Sequence, residues 1–214
     1  MGLVHYRRYF VDYSKNNEKV ADNILLQEDI SRILSKYKII LPLKGIKNPG
    51  KAVYYKQYAP EKQDKHWDLL YRIIKERFPE YEGAFTKYVT GKSYCACNMF
   101  ISTKEVFCEY SKWLFEVLKQ YDLRISANNE ERLARVDGYL SESLINVWLL
   151  HNISRDEIYY EATTLITDKN KKSNRLRRLF GINHNVQLLS QNVMNLIKYT
   201  KNLPAYLKYK NSIK

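Results

Sequence analysis

Amphipathic helical stretches alternate with short apolar runs along the first 160 residues, and this alternation predicts a layered α/β architecture rather than a bundle or a sandwich. The strongest helical signal follows Ile101. Phe107, Tyr110, Leu114, Val117, Leu118 and Tyr121 recur at helical spacing on one face, and Ser102 stands three residues before Glu105, the spacing of a capping box. Residues 20–37 are expected to form a helix through Ile24, Leu25, Ile30, Ile33 and Leu34, followed by a short strand over 38–41 that Pro42 stops. A second helix is expected over 62–78, ended by Pro79, then a shorter one to Gly91, and a further one starting at Asp137-Gly138 with Leu140, Leu144, Val147 and Trp148 inward. Residues 94–101 read as a buried strand, with Cys95 and Cys97 facing the same way, and 158–160 as one more. Gly45, Pro49, Gly50, Tyr54, Tyr55 and Tyr58 make 44–60 a long loop, and long ordered loops are commonly binding loops.

The 214 residues suit one domain with an appendage. From Glu161 onward eleven Lys and Arg face two acidic residues, a net charge of +9, whereas the first 160 residues hold 25 basic against 21 acidic side chains. A nearly balanced body of 1–160 and a basic tail of 161–214 therefore have different electrostatic partners. Three cysteines are too few and too odd in number for a disulfide framework, and no apolar run is long enough to cross a bilayer, so a reducing cytoplasm is expected. Cys95 and Cys97 read as reduced core thiols, because no second Cys or His pair stands at a zinc-like spacing.

Residues 4–10, Val-His-Tyr-Arg-Arg-Tyr-Phe, concentrate planar rings and forked guanidinium donors suited to phosphate and sugar recognition. The alternative for Arg7 and Arg8 is pairing with a nearby carboxylate such as Asp12. Asn98 interrupts the apolar run 97–101, so its amide must find either a sugar hydroxyl or neighbouring backbone, or cost about 1–3 kcal/mol. Trp67, Trp113 and Trp148 fall at helical core spacing, and His66, His151 and His184 have no acid or thiol at catalytic spacing.

Three motifs together resemble a known family: GLVHYRRYF at 2–10, CNMFI at 97–101 with the helix of Tyr110, Trp113, Leu114 and Phe115, and R-x-x-GYLSE at 135–142. They look like the signatures of a bacterial glycosyltransferase-like family of capsular and exopolysaccharide biosynthesis, the HYRRYF domain, long catalogued as a domain of unknown function. The resemblance implies a partial GT-A-like (Rossmann-like) fold over 1–160 with a helical C-terminal extension. In that family GLVHYRRYF follows an N-terminal segment bearing the opening strands, so the chain resembles the C-terminal two-thirds of such an enzyme, a truncated or split transferase whose nucleotide binding and activity are then at stake.

Transfer of a sugar from a nucleotide donor needs a stabilised diphosphate leaving group and, for inversion, a base for the acceptor hydroxyl. No Asp-x-Asp pair occurs to hold a metal. The resemblance instead implies a donor site of His5, Tyr6, Arg7 and Arg8, with the guanidinium groups neutralising the diphosphate; a metal-independent arrangement is favoured, and a divalent metal remains the alternative. Glu142 is the expected base, on the helix side shared with Tyr139, Ile145 and Leu149 in the first turn, where an apolar flank would raise its pKa. The plainer role for such an acid is to complement the helix dipole. Asn98, Asp137 and Tyr139 are the expected acceptor contacts, Asp137 being also the expected helix cap.

In the tail, a basic cluster over 169–178 precedes an apolar stripe of Val186, Leu189, Val193, Leu196 and Ile197 and a Tyr-rich, Lys-rich end. Such a segment suits an anionic membrane face near a lipid-linked or oligosaccharide acceptor, or a helix packed on the body. Two other classes compete with an enzyme. A nucleic-acid binder would spread its basic residues over the body, which is nearly balanced here, so no nucleic acid is expected as partner; a non-catalytic scaffold would follow from the truncated resemblance.

Overall fold

The computed structural model describes residues 1–4, 8–15, 17, 20–46, 63–91, 93–95, 97–128 and 135–165. A five-stranded mixed sheet runs through its centre in the order β1-β6-β3-β7-β2, made of β1 (Gly2–Leu3), β2 (Arg8–Val11), β3 (Ile39–Pro42), β6 (Phe100–Ser102) and β7 (Ile158–Leu165). A separate two-stranded ribbon pairs β4 (Gly45–Ile46) with β5 (Ser93–Tyr94). β3 lies parallel to β7, with Ile39 opposite Ile158 and Pro42 opposite Glu161, and antiparallel to β6. Ile39, Ile40 and Leu41 are all buried. A strand covered on both faces needs an apolar residue at every position rather than at alternate ones, which accounts for the run Ile-Ile-Leu.

Alternation along β3 sends Ile39 and Leu41 to one face and Ile40 to the other. The first face meets the large core built from α2 (Gln63–Arg77), α3 (Glu82–Thr90), α4 (Lys104–Ala127) and α5 (Val136–Asn152). Ile40 joins Phe10, Leu25, Met99 and Ile33 of α1 (Gln27–Leu34) in a smaller core. α4 buries Val106, Tyr110, Trp113, Leu114, Val117, Leu118, Tyr121 and Ile125, the face its spacing predicts. α5 is buried on more than one side, including Ser141, Ser143 and Asn146, because it packs against both α3 and α4. At the sheet edge Gly2 is required sterically: a Cβ there would stand 2.5 Å from the Phe100 carbonyl oxygen, so any side chain would force β1 off β6.

Several sequence expectations are corrected by these contacts. The helix expected over 20–37 is a 3-10 turn over Val20–Asn23 followed only later by α1, because Ile24 bridges Val11 and the Leu25 N–H donates to the Phe10 carbonyl at 3.0 Å. Pairing with the sheet wins over helical periodicity there. The strand expected over 94–101 is divided into β5 and β6 by a tight turn at Cys97 and Asn98, so Cys95 and Cys97 do not share one strand face. Thr103, not Ser102, caps α4, its side chain accepting from the Val106 N–H. Arg135, not Asp137, holds the N-cap position of α5; Asp137 lies inside the first turn, and Glu142 in the second. β7 runs through position 160, so residues 161–165 belong to the sheet. Residues 166–214, where the basic helical extension is expected, and 47–60 of the expected loop lie outside the described residues, while Gly45–Ile46 form β4.

Candidate functional site

Arg8 opens β2 opposite Leu165, the last residue of β7. Its guanidinium leaves the strand and donates to the Sγ of Cys97. Asp12, the alternative partner in sequence, is engaged with Ser14, whose N–H and hydroxyl donate to its Oδ1 at 2.8 and 2.6 Å. His5, Tyr6 and Arg7 lie outside the described residues.

The turn that presents Cys97 has an unusual backbone. Cys97 at φ 70° and Asn98 at φ 44° are consecutive left-handed residues, and neither is glycine. Each costs on the order of 1–3 kcal/mol and persists only where the surroundings enforce it; Asn tolerates the region better than Cys. The enforcement comes from α5 and α4. Asn146 clamps the turn from below, its Oδ1 accepting the Cys95 N–H at 2.6 Å and its Nδ2 donating to the Cys95 carbonyl at 3.1 Å. Asn98 is held from the side, its Oδ1 accepting from the Tyr110 hydroxyl at 3.1 Å and its Nδ2 donating to Ser141 Oγ at 3.3 Å. Ser141 in turn donates to the Gly138 carbonyl, and the Tyr110 ring is wedged edge-on between Phe100 and Trp148. The partners of Asn98 within the protein are therefore side chains, Tyr110 and Ser141, and not neighbouring backbone, one of the two alternatives the sequence left open.

Glu142 follows Ser141 on α5 and is half-buried, and Asn146 also donates to its backbone carbonyl at 2.9 Å. Its charge is felt at the turn: burial pushes the Cys97 thiol up, the Arg8 guanidinium draws it down, and the Glu142 carboxylate pushes it up. Burial likewise pushes the Tyr88 hydroxyl far up, with Glu142 adding to it. A cation from the start of β2 thus contacts this turn, and the charge of a carboxylate from α5 reaches it. Asp137 and Tyr139 lie one turn earlier on α5, Asp137 near the positive end of the helix dipole and Tyr139 with the Arg135 guanidinium 5.9 Å from its ring centroid.

The three tryptophans are core residues, as their spacing suggested, and Trp113 stacks on Tyr81 with ring centroids 4.7 Å apart. His66 is buried against the Tyr121 hydroxyl, His151 lies over Tyr81, and His184 is outside the described residues. Sequence reasoning missed Tyr110, Ser141 and Asn146 as members of the site. The available signal was the single amide of Asn146 inside the otherwise apolar run 144–150, a polar group that a buried helix retains only for a partner. Among the described residues, no cluster of three His, Cys, Asp or Glu side chains could hold a metal ion, and no helix is long and apolar enough to cross a membrane.

The model of a family described as a domain of unknown function, DUF4422, matches residues 1–153, which contain all three motifs and the whole of this turn. The chain belongs to the DUF4422 family. No curated protein matches it. Among solved structures, this DUF4422 chain is similar to the apo structure of WbbM, a bifunctional glycosyltransferase, with a TM-score of 0.61 and 21% identity over 78% of this chain and 33% of that one. The chain thus spans about a third of that protein. At this identity the likeness shows the fold: the α/β layers of the DUF4422 chain are those of part of a glycosyltransferase.

Proposed function

We propose that this chain transfers a sugar from a nucleotide-sugar donor to a glycan acceptor at the turn formed by Cys97 and Asn98. The observation that carries the reading is the contact of the Arg8 guanidinium with Cys97 at a turn held by α5 beside Glu142, whose charge reaches the same thiol. A fixed guanidinium beside a rigid turn offers forked donors to the diphosphate leaving group, charge stabilisation that is worth most where water is excluded. Glu142 takes the proton of the acceptor hydroxyl as its oxygen attacks the anomeric carbon and the bond to the diphosphate breaks. Asn98 orients a sugar hydroxyl with the amide capacity left after its bonds to Tyr110 and Ser141. Asp137 and Tyr139 border the acceptor, and His5, Tyr6 and Arg7 complete the donor side. With no Asp-x-Asp in the sequence, the guanidinium groups serve where such enzymes otherwise use a metal.

The same reading gives the protein a role in capsular or exopolysaccharide assembly, on a lipid-linked or oligosaccharide acceptor, with the basic segment 169–214 against the inner face of the plasma membrane. The net charge of +9 from Glu161 onward supports this attraction to anionic lipid.

Calorimetry and turnover on the full chain with a panel of nucleotide sugars test the assignment. Arg8→Gln is expected to weaken donor binding about tenfold or more. Glu142→Gln is expected to leave donor affinity within about twofold while transfer falls about a hundredfold. Turnover is expected to persist in a metal chelator. Failure of every nucleotide sugar to bind, or equal behaviour of wild type and both variants, would overturn the assignment.

A further inference from the structure

Behind the turn, the C-terminal half of α5, the end of α3 and strands β3 and β7 enclose a cavity of about 580 Å³. Its wall carries Lys44, Lys87 and Arg155 and, among the described residues, no carboxylate. The Lys44 ammonium stands 5.1 Å from the centroid of the Tyr160 ring. Its charge also reaches the Cys95 thiol, and that of Arg155 reaches the Tyr160 hydroxyl, so two of the cations act on the same wall. Neither Lys87 nor Arg155 forms an ion pair among the described residues.

Three cations around a concave wall repel one another, and a low-dielectric cleft lined by one sign of charge concentrates ions of the other. The volume lies in the range of small-molecule sites. The cavity also adjoins the candidate active site, because Cys95 and Asn146 line it and are the pair that clamps the Cys97–Asn98 turn. Tyr88, another wall residue, feels the charge of Glu142. A ligand seated here would lie beside Asn146, whose amide also donates to the Glu142 backbone carbonyl.

We propose that this cavity binds the anionic group of a sugar acceptor, a phosphate or a carboxylate borne on the sugar, with Lys44, Lys87 and Arg155 as counter-charges and the Tyr160 ring as one wall. That the bound sugar is an acceptor rests on the transferase reading; that the cavity binds a sugar-borne anion does not. The site is separate from the donor side at Arg8 and selects the acceptor by charge.

Calorimetry on the full chain with glucose 1-phosphate and with glucuronate as probes tests this, each repeated with Lys44→Gln, Arg155→Gln and Arg8→Gln. All three positions are outside the packed core, and far-UV circular dichroism verifies that each variant folds. At least one probe should bind, losing about tenfold in affinity in Lys44→Gln and in Arg155→Gln and nothing in Arg8→Gln. Binding of the phosphate alone or of the carboxylate alone identifies which anion the acceptor carries. No binding of either probe, affinity unchanged by both cavity variants, or loss in Arg8→Gln would refute the site. The transferase reading is judged separately by nucleotide-sugar binding, for which Arg8→Gln is the sensitive variant and Lys44→Gln and Arg155→Gln are silent.

Discussion

The helical layer and the turn at Cys97 and Asn98 are stabilised in opposite ways. In α4 each residue adopts its favoured backbone conformation and the apolar stripe supplies the stability, so local propensity and burial agree. In the turn, two non-glycine residues adopt a disfavoured conformation, and buried amides and hydroxyls from α4 and α5 hold them there. Conflict between local preference and global structure concentrates at functional sites. The turn is also where the Arg8 guanidinium contacts Cys97 and the charge of Glu142 is felt, which is why it, and not the larger core, carries the candidate chemistry.

The sharpest separation of the two regions comes from Trp148, fully buried in the layer against Tyr110. Trp148→Ala is expected to cost about 3–5 kcal/mol through lost burial and the cavity left behind, seen as a lower denaturant midpoint, while the protein that remains folded keeps its donor affinity. Asn146→Ala attacks the turn instead. It strands the N–H and carbonyl of Cys95, each worth about 1–3 kcal/mol when buried and unpaired, so a loss of about 3 kcal/mol is expected together with weakened donor binding. If Asn146→Ala lowered stability alone, the turn would be structural and the comparison would fail.

Glu161 provides an intermediate test, because it is a buried carboxyl with a hydrogen bond in place: its Oε1 accepts the Ala162 N–H at 2.7 Å. Burial pushes its pKa up to about 7, opposed by that bond and reinforced by the charge of Asp12. The folded state therefore holds a proton that the unfolded chain releases near the ordinary carboxylate range. Stability falls as pH rises from about 4.5 to 7 and is flat on either side. Glu161→Gln should match wild type at pH 4 and exceed it by about 2 kcal/mol at pH 8, measured as melting temperature against pH; parallel curves would show that the carboxyl is solvated.

The smallest effect is expected at Arg135, exposed and left-handed at φ 62° where α5 begins. Arg135→Gly removes the steric cost of that conformation and forfeits the contact with Tyr139, for a net gain of up to about 1 kcal/mol in denaturant unfolding. A clear loss would mean that strain at this position, unlike that at Cys97, is repaid by its side chain.

The amino-acid sequence by itself determined α2, α4 and the strand β3, because amphipathic spacing and an unbroken apolar run report directly which faces are covered. It also exposed Arg8, Asn98 and Glu142 as groups with chemistry to offer. Only the tertiary structure decided that residues 24 and 25 join the sheet, that 97 and 98 turn left-handed, and that Arg8 meets Cys97 across 89 positions of chain. A left-handed residue other than glycine is disfavoured in every short peptide. Its presence here depends on an asparagine 51 residues away from the backbone it clamps, a relation that no local pattern encodes.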